Sequence, residues 1–177
     1  MSRWNARIAI TAVVLIASAL PLAVAACGGG SKQNPQSANS ATQAAQDAQL
    51  EQEFTDRART DAEEWYATDS AIVAALQEFT TTISGDAKTL KKKPIRKLQE
   101  SLDEWKDATS PSERFQSSFD LWMVVVADQE KFLAVLDRLP KTMHPSDTYH
   151  IMPKVLRLQE IVNKMSVDFD AYTASLP

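Results

Sequence analysis

From Leu50 onward, apolar residues return every three or four positions along the chain. Leu50, Phe54, Ala58, Ala62, Trp65, Asp69, Ile72, Leu76, Phe79 and Ile83 fall on one stripe of a helix, interrupted by a single acid, Asp69. The stripe predicts one long helix. Its expected end is Gly85, the only glycine after residue 30 and suited to a left-handed cap. Pro94 fits the first turn of a second, shorter helix with Ile95, Leu98, Leu102 and Trp105 on its apolar face. Ser110-Pro111-Ser112-Glu113 then reads as a helix start: a serine cap, a proline at the first helical position and a glutamate reaching back. Phe115, Phe119, Trp122, Val126, Leu133 and Leu136 line the third helix that should follow. Taken alone, Leu121 to Ala127 would also fit a buried strand, but the helical spacing on both sides assigns it to that helix. Ile151, Val155, Leu158, Val162, Met165, Phe169, Tyr172 and Leu176 mark a fourth, with Pro153 near its start or kinking its first turns. Four amphipathic helices with short connections predict an all-α fold, an antiparallel four-helix bundle with a long first helix. The first stripe also lies close to the 3.5-residue coiled-coil repeat, which would suit pairing with a second copy, but an intramolecular bundle uses all four stripes.

Ahead of Leu50 the pattern disappears. Gly28 to Asp47 has no large apolar residue and cannot bury enough surface to offset the entropy of ordering it, so a disordered tether is expected there. Before it, Met1 to Arg7 carries two arginines and no acid, and Ile8 to Ala26 is an apolar run, the layout of an export signal. A run of about 20 apolar residues can also span a bilayer. Pro21 and the small residues Ala23, Ala25 and Ala26 stand where a processing site belongs, and Val24-Ala25-Ala26-Cys27 resembles the lipobox of bacterial lipoproteins at every position of the motif. That resemblance implies that Cys27 is diacylglycerylated on its sulfur and that the leader is cut before it, leaving Cys27 as a lipidated N-terminus. It covers the leader only. The expected organisation is a lipoprotein signal peptide over residues 1–26, a lipidated cysteine and flexible tether over 27–47, and a helical domain over 48–177. The resemblance places that domain outside the cytoplasm, at an outer membrane or on the outer face of a plasma membrane.

Cys27 is the only cysteine, so the chain forms no internal disulfide and its stability rests on the core. Removing Arg3 and Arg7 with the leader leaves 17 basic residues against 23 acidic ones, a formal charge of −6. That balance argues against nucleic-acid binding, which calls for a basic footprint over the domain. One basic cluster stands out, formed by Lys88, Lys91, Lys92, Lys93, Arg96 and Lys97 with only Asp86 nearby as a counter-charge. Near the end of the first helix, cations would complement its dipole. The functional alternative is a docking patch for anionic lipid headgroups or an acidic envelope polymer, worth about 1 kcal/mol per basic residue near a charged surface.

Other candidate chemistry is sparse. His144, Asp147 and His150 follow one another at steps of three and could form a ligand trio, but Pro145 keeps His144 out of a helix, and Ser146 and Asp147 also fit an ordinary N-cap. No histidine stands three residues after a glutamate, which excludes a di-iron bundle motif. Met143 and Met152 near the two histidines read as packing residues. Glu63 and Glu64 are adjacent and point apart on a helix. Nucleophilic catalysis needs a serine or threonine beside a base and oxyanion donors, but the serines and threonines lie mostly in the tether and at helix ends, and Gly28 to Gly30 follow no strand, so no phosphate loop is expected. Trp65, Trp105, Phe115, Phe119 and Trp122 fall on inner faces and read as core. Asp69 is expected to be exposed at a bend, with a Lys or Arg partner and a polar cavity as alternatives. The expectation is therefore a non-enzymatic envelope lipoprotein without cofactor or metal, whose domain contacts another envelope component. The alternative is a small-molecule or metal-binding lipoprotein that uses the bundle interior or the loop from His144 to His150.

Overall fold

The computed structural model describes residues 35–81 and 87–176. Leader, lipobox and Cys27 lie outside these residues, as do Ile83 and Gly85. Four helices carry the described chain: α1 (Pro35–Thr81), α2 (Lys92–Lys106), α3 (Gln116–Asp137) and α4 (Thr148–Ser175). Two short strands, β1 (Lys88–Thr89) and β2 (Thr142–Met143), pair antiparallel, with Lys88 opposite Met143 and Thr89 opposite Thr142. The fold is thus mainly helical. The strand pair was not expected from the pattern, because two residues give no alternation to detect.

α1 starts well before the expected domain boundary at residue 48. Residues 35–47, assigned by composition to the tether, are helical. Pro35 suits a first helical position, and the Ala- and Gln-rich sequence that follows lacks large apolar residues yet consists largely of good helix formers. Once the packed part of α1 has nucleated, extending it toward the N-terminus costs little. Residues 42–46 of this extension are exposed. The whole of α1 is 47 residues, about 70 Å at 1.5 Å per residue.

Packing begins farther along. Ala58, Ala62, Trp65, Leu76 and Phe79 are buried as their spacing predicts, whereas Leu50 remains half exposed and Val73 takes the inner position beside a partly exposed Ile72. In α2, Leu98, Leu102 and Trp105 are buried, and in α4 the inner face from Ile151 to Tyr172 is buried as expected. Pro153 lies inside α4, near its start. α4 packs most extensively on α3 and then on α1, while α2 makes fewer contacts with α3 and fewest with α1.

The centre is aromatic. Trp122 of α3 stacks on Trp65 with ring centroids 5.7 Å apart, and meets Trp105 edge-on at 4.8 Å and Tyr172 at 5.5 Å. Trp65 donates its indole N–H to Ser101 at 3.0 Å and Trp105 donates to Asp61 at 2.7 Å, so both polar edges are satisfied. Phe54 adds a second layer against Trp105, Phe115 and Phe119. These contacts join all four helices around one point.

The helix start expected at Ser110 is not formed there. α3 begins at Gln116, and residues 111–115 make turns. Residues of this turn make a tertiary interaction: Arg114 grips the buried Glu51 with two hydrogen bonds, Nε to Oε1 at 2.7 Å and Nη2 to Oε2 at 2.6 Å, and the Ser112 hydroxyl donates to the same carboxylate. The Arg114 hydrogen bonds outweigh the effect of burial and hold the Glu51 carboxyl below its usual pKa. This clamp fastens α1 to the α2–α3 connection.

Candidate functional site

The sequence-derived candidates separate in space. His144 and His150 are both exposed. Asp147 accepts a hydrogen bond from the His144 backbone N–H at 2.9 Å, the local bond of a short 3-10 turn over Pro145–Asp147, and the His150 ring lies edge-on to Tyr149. The loop is therefore an ordinary entry to α4. Among the described residues no three His, Cys, Asp or Glu side chains are grouped to hold a metal ion. Glu63 and Glu64 are exposed on α1, and Met143 is buried against the strand pair.

Asp69 departs from its expectation. It is fully buried, not exposed at a bend, and no Lys, Arg or His of the described residues forms an ion pair with it. Its partner is neutral: Gln129 of α3, also fully buried, donates from Nε2 to Asp69 Oδ1 at 3.4 Å. Asp69 Oδ2 and Gln129 Oε1 have no donor among the described residues. An ionised carboxylate and an amide oxygen only accept, whereas a protonated Asp69 carboxyl would carry a donor of its own. Burial pushes its pKa up to about 8, against a small opposing effect of the Gln129 hydrogen bond. A carboxyl with that pKa is mostly protonated at pH 7.

Beside Gln129 in sequence, Asp128 is also buried but is matched by cations. Lys131 and Lys164 each donate to it at 2.7 Å. Burial alone would raise this carboxyl, and the lysine hydrogen bonds outweigh it and hold the pKa low. The two buried acids thus carry opposite charge states for a structural reason: one faces ammonium groups and the other an amide.

The basic cluster is not at the end of a helix dipole that welcomes it. The last turn of α1 has no basic residue. Lys88 lies on β1, and Lys91, Lys92 and Lys93 occupy the start of α2, where the partial positive charge of the helix end disfavours cations. Lys88 reaches Glu78 at 4.0 Å and Lys97 reaches Glu64 at 3.6 Å, both between exposed side chains. Lys91, Lys92 and Lys93 are exposed and have no carboxylate within 4.0 Å among the described residues. Three neighbouring ammonium groups thus stand without a paired carboxylate among the described residues. The chain matches no protein-family model, no curated protein and no solved structure. What the cluster does must be read from its surroundings.

Those surroundings are an open groove of about 580 Å³ between α1 and the β1–α2 segment. Its α1 wall carries Ala67, Ala71 and Ala75, one residue per turn on the same face, and its other wall carries Leu90, Pro94 and Ile95. The alanine side chains are too short to reach the opposite wall, so α1 and α2 leave a gap where other helix pairs interdigitate. Lys88 and Lys91 stand at the rim, and a second depression of about 550 Å³ lined by Lys91, Lys92, Lys93 and Lys97 adjoins it, sharing Thr68, Lys91 and Pro94. Sequence reasoning found the lysines but not the groove, because the groove depends on how far apart two helices stand. The alanine repeat was the available signal, and within a stripe of larger apolar residues it is easily passed over.

Proposed function

We propose that this chain is a membrane-anchored cell-envelope lipoprotein, cleaved before Cys27 and held by lipid on that cysteine at the extracytoplasmic side of a membrane. The membrane is an outer membrane where the organism has one, and otherwise the plasma membrane. In this reading the helical domain is an antiparallel four-helix bundle that acts without catalysis, by contacting another envelope component. The observation that carries the proposal is Val24-Ala25-Ala26-Cys27 at the end of an apolar run, with Cys27 the chain's sole cysteine. Two features support it. The buried residues of the described chain run from Glu51 to Tyr172, and the proposal assigns Cys27 no part in that core. Lysines without a paired carboxylate among the described residues, beside an apolar groove, suit contact with a partner more than a reaction. No described helix is long and apolar enough to cross a membrane, and the proposal does not require one.

A second reading, that the domain binds a small molecule, is favoured by the same groove, whose volume lies within the roughly 300–1,000 Å³ of ordinary ligand pockets. It moves the binding place from the bundle interior, filled by Trp65, Trp105 and Trp122, to the surface.

The test is a Cys27→Ser substitution in the full chain, followed by cell fractionation. The native chain is expected in the membrane fraction as a processed form. The variant should be unprocessed or mislocalised, with unchanged resistance of the domain to proteolysis. A Cys27→Ser chain that is processed and sedimented like the native one would remove the basis of the proposal.

A further inference from the structure

The lysine cluster and the apolar groove are best explained together. A surface that placed three cations side by side at the positive end of a helix, with no carboxylate within 4.0 Å among the described residues, would be destabilised by its own repulsion. An anion between them would remove that repulsion. The groove that runs from the cluster has a different demand. Ile72, Leu90 and Ile95 are each only partly buried, and the alanine face of α1 is exposed, so contiguous apolar surface remains in water. An apolar chain laid along it would cover that surface. A free phosphate would satisfy only the first demand, and a neutral hydrocarbon only the second.

We propose that the groove between α1 and the β1–α2 segment holds one acyl chain of an anionic membrane phospholipid, whose headgroup phosphate is received by Lys91, Lys92 and Lys93. The chain lies against Ala71, Ala75 and Ile72 on one side and Leu90 and Ile95 on the other. Met143, buried on β2, closes the floor. The β1–β2 pair fixes this floor to the start of α4, so the groove is held open by tertiary structure rather than by a loop alone. The proposal names the partner of the lipoprotein reading above and rests on it, since an envelope location supplies the lipid.

The test uses the full chain in a bacterial host that processes lipoproteins. Cells are grown with a palmitic acid analogue bearing a diazirine, which enters the membrane phospholipids, and are irradiated before peptide mapping by mass spectrometry. Label on Cys27 forms without light and reports the anchor. Light-dependent adducts on the groove walls, within residues 67–76 and 90–95, report the groove. A chain carrying Lys91→Glu, Lys92→Glu and Lys93→Glu is expected to lose at least about fivefold of the groove adducts while Cys27 stays labelled. Ala71→Trp, which fills the groove from an exposed position, is expected to do the same with the lysines intact. Matching circular dichroism shows that each variant is folded. Labelled Cys27 without groove adducts, or adducts undiminished in both variants, overturns the groove proposal and leaves the lipoprotein reading standing. Groove adducts that depend on the lysines, with Cys27 unlabelled, support the groove and overturn the anchor.

Discussion

At pH 8 the Asp69→Asn domain, residues 35–177, is expected to melt roughly 10 °C above the native domain, while at pH 5.5 the gap narrows to a few degrees. In the folded chain Asp69 holds its proton up to a pKa of about 8, whereas an unfolded chain releases it near the ordinary 3.8. The folded state therefore binds the extra proton throughout the window between these values. Its stability is complete with respect to this group below about pH 4, declines by about 1.4 kcal/mol per pH unit as the unfolded state ionises, and levels off above pH 8. The accumulated loss is on the order of 5 kcal/mol, large beside the 5–15 kcal/mol by which domains are stable. Asparagine has the same shape and no proton to lose. Its amide can donate to Gln129 Oε1 and accept from Gln129 Nε2, satisfying an oxygen that the ionised acid leaves bare. At about 2–4 °C per kcal/mol for a chain of this size, recovery of three to four kcal/mol gives the stated shift. Thermal melts followed by circular dichroism at the two pH values measure it. An Asp69→Asn variant less stable than the native domain at both would mean that Asp69 is ionised and held by a cation.

The acidic side of the same profile has an independent origin. Asp128, held low by Lys131 and Lys164 against the effect of burial, and Glu51, held low by Arg114, stabilise the fold above the usual carboxylate range and stop doing so as pH falls through their lowered values. Together with Asp69 these groups place the optimum of stability at mildly acidic pH.

The second large effect is expected at Trp122. Its ring touches the rings of Trp65, Trp105, Phe169 and Tyr172, and it is fully buried where all four helices meet. Trp122→Ala removes an entire indole from a site whose walls are other aromatic rings, which cannot all move inward at once. The cost is about 3–5 kcal/mol, the range for large aromatic truncations in cores, and the melting temperature at pH 5.5 should fall by about 10 °C or more. Trp122→Phe, which keeps the ring stacking, should lose less than half of that. Equal losses for the two variants would show that the indole's edge rather than its packing volume is what the core uses. That alternative is disfavoured because Trp122 Nε1 has no acceptor among the described residues.

The helices were legible because burial is periodic. Leu98, Leu102 and Trp105 in α2, or Val155, Leu158, Met165 and Phe169 in α4, are inside for the same reason that their spacing is regular. What escaped the pattern depends on residues far apart in sequence. Glu51 and Arg114 are separated by 63 positions, and their ion pair draws Ser112 and Arg114 into a tertiary role and defers the start of α3 past the local capping signal. Asp69 and Gln129 are separated by 60, so the polar break in the first stripe could not be matched with its amide partner. Residues 35–47 are helical although their composition suggests a tether, because a lack of large apolar residues does not exclude helix and α1 continues through them. The lysine cluster was visible as a charge run, but its position at the start of α2 and beside an alanine-lined gap depends on the placement of two helices.

The central claim concerns residue 27, and the mass of the mature N-terminus tests it most directly. The full chain, extracted from membranes of a host with lipoprotein processing, is predicted to begin at Cys27 and to carry a diacylglyceryl group on that sulfur, seen as a proteolytic peptide heavier by that group. An unmodified Cys27 within a longer or differently cut N-terminal peptide would contradict it.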